Sequence, residues 1–196
     1  MNKKWITIII VVVALFLVYT FFSGKYNSMV TKEETVNTEW SNVETQYQRR
    51  NDLIPNLVNT VKGFAQQEKE VLTGVTEARA KASSINLDAN NLTAENMQQF
   101  QAAQGQLNSA LSRLLVTVEK YPELKSNQNF LELQAQLEGT ENRIAVARKR
   151  FNETTQDYNT YIRKFPNTML AGMFGFERKA LFAADAGAEN APEVQF

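Results

Sequence analysis

The chain has 196 residues, 21 of them Lys or Arg and 21 Asp or Glu, and it contains neither His nor Cys. A thiol nucleophile, a disulfide, an imidazole general base and any zinc site built on Cys or His are therefore excluded, and the zero formal charge argues against nucleic acid as a partner, because that needs a net basic face to displace counterions. With only 4 Pro and 8 Gly, the composition favours long regular elements over a loop-rich fold.

The first predicted element is the run MNKKWITIIIVVVALFLVYTFFSGK, in which no residue from Trp5 to Gly24 is charged. A helix of that length spans about 30 Å, the hydrocarbon thickness of a bilayer. Ile8, Val12, Leu15 and Phe16 are expected to be membrane-anchor residues. Trp5 at one end, and Tyr19 with Tyr26 towards the other, suit the interfacial aromatic belts. A cleavable signal peptide has a shorter apolar region ending in small residues, where this chain has Phe21 and Phe22. FSGK resembles a lipoprotein box with Lys25 in place of the acylated Cys, so lipidation there is excluded. Residues 1–24 are thus expected to be a single-pass membrane anchor. The density of Lys3 and Lys4 favours the N-terminus inside and the rest of the chain on the extracytoplasmic side.

Four amphipathic runs follow, with apolar residues at three and four spacing, predicting an all-α, up-and-down four-helix bundle over residues 25–182. The first carries Tyr26, Met29, Val36, Trp40, Val43 and Tyr47, with Thr31 and Glu34 as a capping box near its start. The second carries Ile54, Leu57, Val61, Phe64, Val71, Leu72 and Val75. Because Pro disfavours helical geometry at the residue before it, a hairpin near Pro55 with Asp52 as the new cap is expected in preference to a kinked through-helix. SINLDANNLT, residues 84–93, reads as a loop. The third run spans Met97 to Tyr121, with polar Gln104 on its apolar stripe. YPELKSN then breaks the chain, and Ser126 is a cap for the fourth run. That run, Phe130, Leu133, Leu137, Thr140, Ile144, Ala147, Phe151, Thr154, Tyr158, Tyr161 and Phe165, keeps a heptad seam until Pro166. Gly63, Gly74, Gly105 and Gly139 fall inside predicted helices, which suggests close backbone approach at some of them.

Beyond Pro166, NTMLAGMFGFERKALF is too apolar for an idle tail and too short to span a membrane. It is expected to fold back as a cap on the bundle, with an oligomer or partner surface and a dip into lipid as the alternatives. Met173, Phe174 and Phe176 are its candidate interaction residues. Residues 183–196 are expected to be a flexible tail, whose Val194 and Phe196 alternate in a pattern suited to docking on a partner's sheet edge.

The search for chemistry yields no catalytic, cofactor-binding or metal residues. GxxxxGK[ST], GxGxxG and GxSxG are missing. Glu68 near the second seam is a lone acid, and NLDANN lacks the Gly and Glu that an EF-hand loop requires. The basic run ARKR, Ala147 to Arg150, reads as a solvated helix face, and Arg49 and Arg50 read as partners for acids or helix-end carbonyls.

Two long blocks, RRNDLIPNLVNTVKGFAQQEKEVLTGVTEARAKA at residues 49–82 and ENRIAVARKRFNETTQDYNTYIRKFPNTMLAGMFGF at residues 141–176, closely resemble the LemA family. YNSMVTKEETVNTEWSNVETQYQ and the ending APEVQF agree. The resemblance implies a bacterial membrane protein with an N-terminal anchor and a helical bundle, without established catalytic residues. It also implies a possible assembly with TPM-domain membrane proteins, whose genes often lie beside those of the family. Family descriptions have placed the short N-terminus outside, opposite to the charge-based reading, whereas lipid-anchored relatives agree with it. The function expected is therefore non-enzymatic. It is an interaction or scaffold role on the bilayer with other envelope proteins, or as a homo-oligomer. The alternative is a ligand-sensing domain, although a receptor usually continues into an output domain and only about four residues precede the anchor.

Overall fold

A computed structural model of the chain describes residues 3–183. Among these residues the fold is all-α. The elements are α1 (Lys3–Phe64), α2 (Lys69–Ser84), a 3-10 turn (Ala89–Asn91), α3 (Ala94–Val118), the single turn α4 (Pro122–Lys125), α5 (Gln128–Arg163) and α6 (Asn167–Phe174).

Helix α1 is one uninterrupted rod of 62 residues, roughly 90 Å at 1.5 Å per residue. It contains the apolar run, the first amphipathic run and the start of the second. Its N-terminal part is long and apolar enough to cross a membrane, and the first fully buried residue on it is Met29. The hairpin expected near Pro55 does not form. Pro55 sits inside α1, and Asp52 caps nothing. A proline cannot donate to the carbonyl four residues before it. Here that orphan, Asn51 O, accepts instead from Arg79 Nε of α2 at 2.8 Å. The capping box is likewise absent, since Thr31 lies mid-helix and its hydroxyl donates to Asn27 O. The chain turns at residues 65–68, ten residues later than expected.

Cross-contacts fix the directions of the helices. Lys32 pairs with Asp157 and Arg50 with Glu141, so α1 and α5 run antiparallel along their common length. Arg79 meets Asn51, and Trp40 Nε1 donates to Leu87 O just beyond α2, so α2 runs back along α1. Trp40 and Tyr47 both touch Phe100, while Arg50 reaches Gln104, so α3 runs parallel to α1. Thr93 caps α3 through Asn96 N, and Asn127, rather than Ser126, caps α5 through Phe130 N. Helix α3 ends at Val118, short of Tyr121.

The α5 seam follows the predicted heptads through Phe130, Leu137, Ile144, Phe151 and Tyr158, all buried. Thr154, Tyr161 and Phe165 depart from it, because the buried positions there are Thr155, Asn159 and Ile162. A straight helix drifts about 20° per heptad against a strict seven-residue repeat. Over four heptads the buried stripe therefore moves on by one residue, while Phe165 lies beyond the end of α5 at Arg163 and is 81% exposed. The four helix-interior glycines are not sites of close approach either, since a Cβ on any of them would meet nothing within 4 Å.

Candidate functional site: a buried polar layer under an open cleft

Two hydrophobic cores are stacked along the body. One, next to the apolar segment, holds Met29, Trp40, Phe100, Phe151, Tyr158 and Phe182. The other holds Ile54, Leu57, Leu107, Leu114, Phe130 and Leu137. Between them lies a polar layer. Arg50 follows Tyr47 on the buried stripe of α1 and is fully buried, Gln104 interrupts the stripe of α3, and Thr140 interrupts that of α5.

The Arg50 guanidinium organises this layer. Its Nη1 donates to Asn108 Oδ1 and to Glu141 Oε1, both at 2.7 Å. Its Nη2 donates to Gln104 Oε1. The plane lies 5.0 Å from the centroid of the Tyr47 ring, and Nε is buried without a hydrogen-bond partner. A planar fork with several donors suits such a site, because each acceptor comes from a different direction. One carboxylate and two amides match the single cation, which keeps the burial of a charge affordable.

The layer opens to solvent through a cleft of about 1170 Å³, floored by Tyr47 and Arg50 of α1. Its walls include Gly74 of α2, Gln101 and Gly105 of α3, and Arg148 of α5. The two glycines that cost α2 and α3 helical stability therefore face open cleft space. Among the described residues, no group of three or more acidic side chains is placed to hold a metal ion. Glu68 is a hydrogen-bond acceptor for the Tyr121 hydroxyl at 3.1 Å.

The segment after Pro166 packs back on the body. Helix α6 ends at Gly175, whose φ of +77° suits a residue without a Cβ. Residues 176–183 then run extended along α5. Asn159 exchanges two hydrogen bonds with the backbone of Lys179, and Asn152 does the same with Phe182. These two asparagines lie seven residues apart on one face of α5 and act as strand-like clamps. Lys179 is buried and reaches Ala89 O at 2.9 Å and Glu33 at 3.2 Å. The Tyr158 hydroxyl donates to Glu177 O. Burial, reinforced by Glu33, pushes its pKa well above the usual phenol range, so it stays a donor. Phe182 stacks on Trp40 in the first core, and Arg148 lies over its outer face.

The predicted site residues are distributed along the rod. Trp5, Ile8, Val12, Leu15, Phe16 and Tyr19 are all exposed on the free part of α1. Phe174 and Phe176 touch Tyr26, and Met173 points outward. Val194 and Phe196 lie outside the described residues. The sequence reading singled out Gln104 and Arg50 but not their contact. It missed the asparagine clamps and Lys179, for which the seven-residue Asn152–Asn159 spacing was the available signal.

Residues 39–196 match the sequence profile of the LemA family. The chain is 28% identical to magnetosome protein MamQ of Magnetospirillum gryphiswaldense over 87% of its length and 69% of that protein's. It is 29% identical to magnetosome protein MamQ 2 of Paramagnetospirillum magneticum, covering 81% of this chain and 64% of the relative. It is 21% identical to Protein LemA of Metamycoplasma hominis, over 93% and 80% of the two chains. The chain thus spans about two thirds of the length of the MamQ relatives.

Proposed function

The chain belongs to the LemA family, and from that premise we propose that it is a non-enzymatic, membrane-tethered interaction protein of the bacterial envelope. In this reading residues 1–24 cross the cytoplasmic membrane once and the helical body stands on the extracytoplasmic side. The carrying observation is the continuity of α1. The same helix that is apolar and uncovered at its N-terminal end forms the floor of the cleft, so no flexible linker separates the anchor from the body. A rigid mount suits a scaffold that presents one face to neighbours, and the open cleft between α3 and α5 is the face that it presents. Other envelope proteins, TPM-domain proteins among them, or a second copy of the chain would be the occupants.

The test is a photo-crosslinking residue placed at Gln101 in the full-length protein, activated in native membranes. A single crosslinked species, captured in proportion to the protein and absent when the probe is moved to the exposed Glu153, supports the reading. Equal, diffuse labelling from both positions refutes it.

A ligand-sensing role is the second reading, favoured by the buried Arg50 at the base of a roomy cleft. Stabilisation of the purified protein by a small anion, lost in Arg113→Ala on the cleft wall, would support that reading instead.

A further inference from the structure

The membrane end of the body carries an apolar stripe that the described residues leave largely exposed. Phe165 is 81% exposed, Met169 67%, Met173 74% and Phe174 50%. The first three recur every four residues across the α5–α6 junction. The opposite side of α6 is committed to the body, since Asn167, Leu170 and Ala171 are buried. Flexible Met side chains beside Phe are suited to an adaptable apolar contact.

The stripe's height along α1 is fixed by contacts. Tyr26, two residues past the end of the uncharged run, packs against Phe174 and Phe176 with ring centroids 4.9 and 5.7 Å apart. Lys25 lies 5.9 Å and Lys32 5.3 Å from the Tyr161 ring near the end of α5. Because α5 runs antiparallel to α1, the residues beyond Tyr161 approach the level of Phe21 to Lys25, where the anchor would leave the bilayer. Arg163 and Lys164, both exposed, immediately precede Phe165, and cations beside an apolar wedge match an anionic headgroup region.

We propose that α6 and the preceding Phe165 form an interfacial foot, with Phe165, Met169, Met173 and Phe174 inserted into the surface of the same bilayer that α1 crosses. This rests on the anchor reading given above. A helix of eight residues has too little apolar area to bind a membrane by itself. Tethering by α1 removes that requirement, because the foot is held next to the surface at high effective concentration. Two points of contact would also fix the rotation of the rod about its own axis, which a single spanning helix leaves free.

The chain has no Cys, so single-cysteine variants give unique probes. Full-length Met173→Cys, Met169→Cys, Leu15→Cys and Val116→Cys, each labelled with NBD, would be reconstituted in vesicles of zwitterionic and anionic phospholipid. Quenching by lipids spin-labelled near the headgroup would then be compared with quenching by aqueous iodide. The foot predicts roughly threefold or stronger lipid quenching at positions 169 and 173 than at the exposed, distant position 116, with position 15 quenched by deeper labels. Lipid quenching at 15 but not at 169 and 173 overturns the foot while sparing the anchor. A failure at 15 overturns both. Protection of 173 from lipid and iodide alike means that protein covers the stripe, and also overturns the proposal.

Discussion

At the scale of single residues, Arg50 determines how the two cores meet. Every other fully buried position on α1 below Met29 is apolar, so a cation there needs its partners in place before folding is complete. Truncation would strip Gln104 of its buried donor and leave Asn108 and the part-exposed Glu141 at the cleft floor to water, and such a loss typically costs about 1–3 kcal/mol. Arg50→Ala is therefore expected to lower stability by that order, measured by denaturation of the detergent-solubilised protein with Trp40 as reporter in a Trp5→Phe background. Arg50→Lys should recover little, because an ammonium cannot reach three acceptors in the directions that the guanidinium serves. A loss below about 1 kcal/mol for Arg50→Ala would mean that water replaces the side chain through the cleft. The sequence marked Arg50 as a partner for acids or helix-end carbonyls. It did not mark which partners, because contacts 54 to 91 residues away along the chain leave no local signature.

At the scale of elements, the periodicity was legible and the breaks were less so. Helical type followed from the three and four spacing, and the loop at residues 84–93 from its Asn and Asp content. Pro55 was misread because the compensation for a helical proline is tertiary. Arg79 comes from another helix to satisfy Asn51 O. This makes a sharp prediction. Arg79→Ala should destabilise the protein by about 1 kcal/mol as a part-buried carbonyl loses its donor. In a Pro55→Ala background, where residue 55 can donate its own N–H, the same change should cost much less, and a double-mutant cycle would read the difference as coupling. Strict additivity would show that the Arg79 contact is incidental. Glycine was misread for a related reason. Gly74 and Gly105 suggested helices pressed together, yet both border empty cleft space. Gly74→Ala and Gly105→Ala should each stabilise by up to about 1 kcal/mol through helix propensity. If the cleft is an interaction face, the same two substitutions should weaken the Gln101 crosslink while the melting temperature rises. Loss of stability on either change would reveal a steric conflict that the open geometry does not contain.

At the scale of the whole molecule, α1 converts a membrane position into a position for every other element. The fold places the loop at residues 85–93 against Trp40, sixteen residues past Gly24, so its tip stands roughly 24 Å beyond the end of the apolar run. Asn90 on that loop is exposed, and its backbone N–H bonds only to Asp88 next to it, so a cysteine there disturbs little. The sidedness of the body then reduces to one reaction. The crowding of Lys3 and Lys4 before the apolar run favours retention of the N-terminus in the cytoplasm, whereas Lys25 and Lys32 on the far side act against it. In the folded chain Lys32 is paired with Asp157 and Lys25 lies against aromatic rings, but topology is set during insertion, before those contacts exist. The density of charge at the short N-terminal end should therefore decide the outcome. Asn90→Cys is expected to react with a membrane-impermeant maleimide in intact spheroplasts to the same extent as after lysis. Moving the two lysines by Lys3→Gln and Lys4→Gln should produce a protected fraction, because the remaining positive charge lies on the body side. Labelling of the parent Asn90→Cys protein only after lysis would put the body, the cleft and the foot on the cytoplasmic face. The partners sought by crosslinking would then have to come from that side.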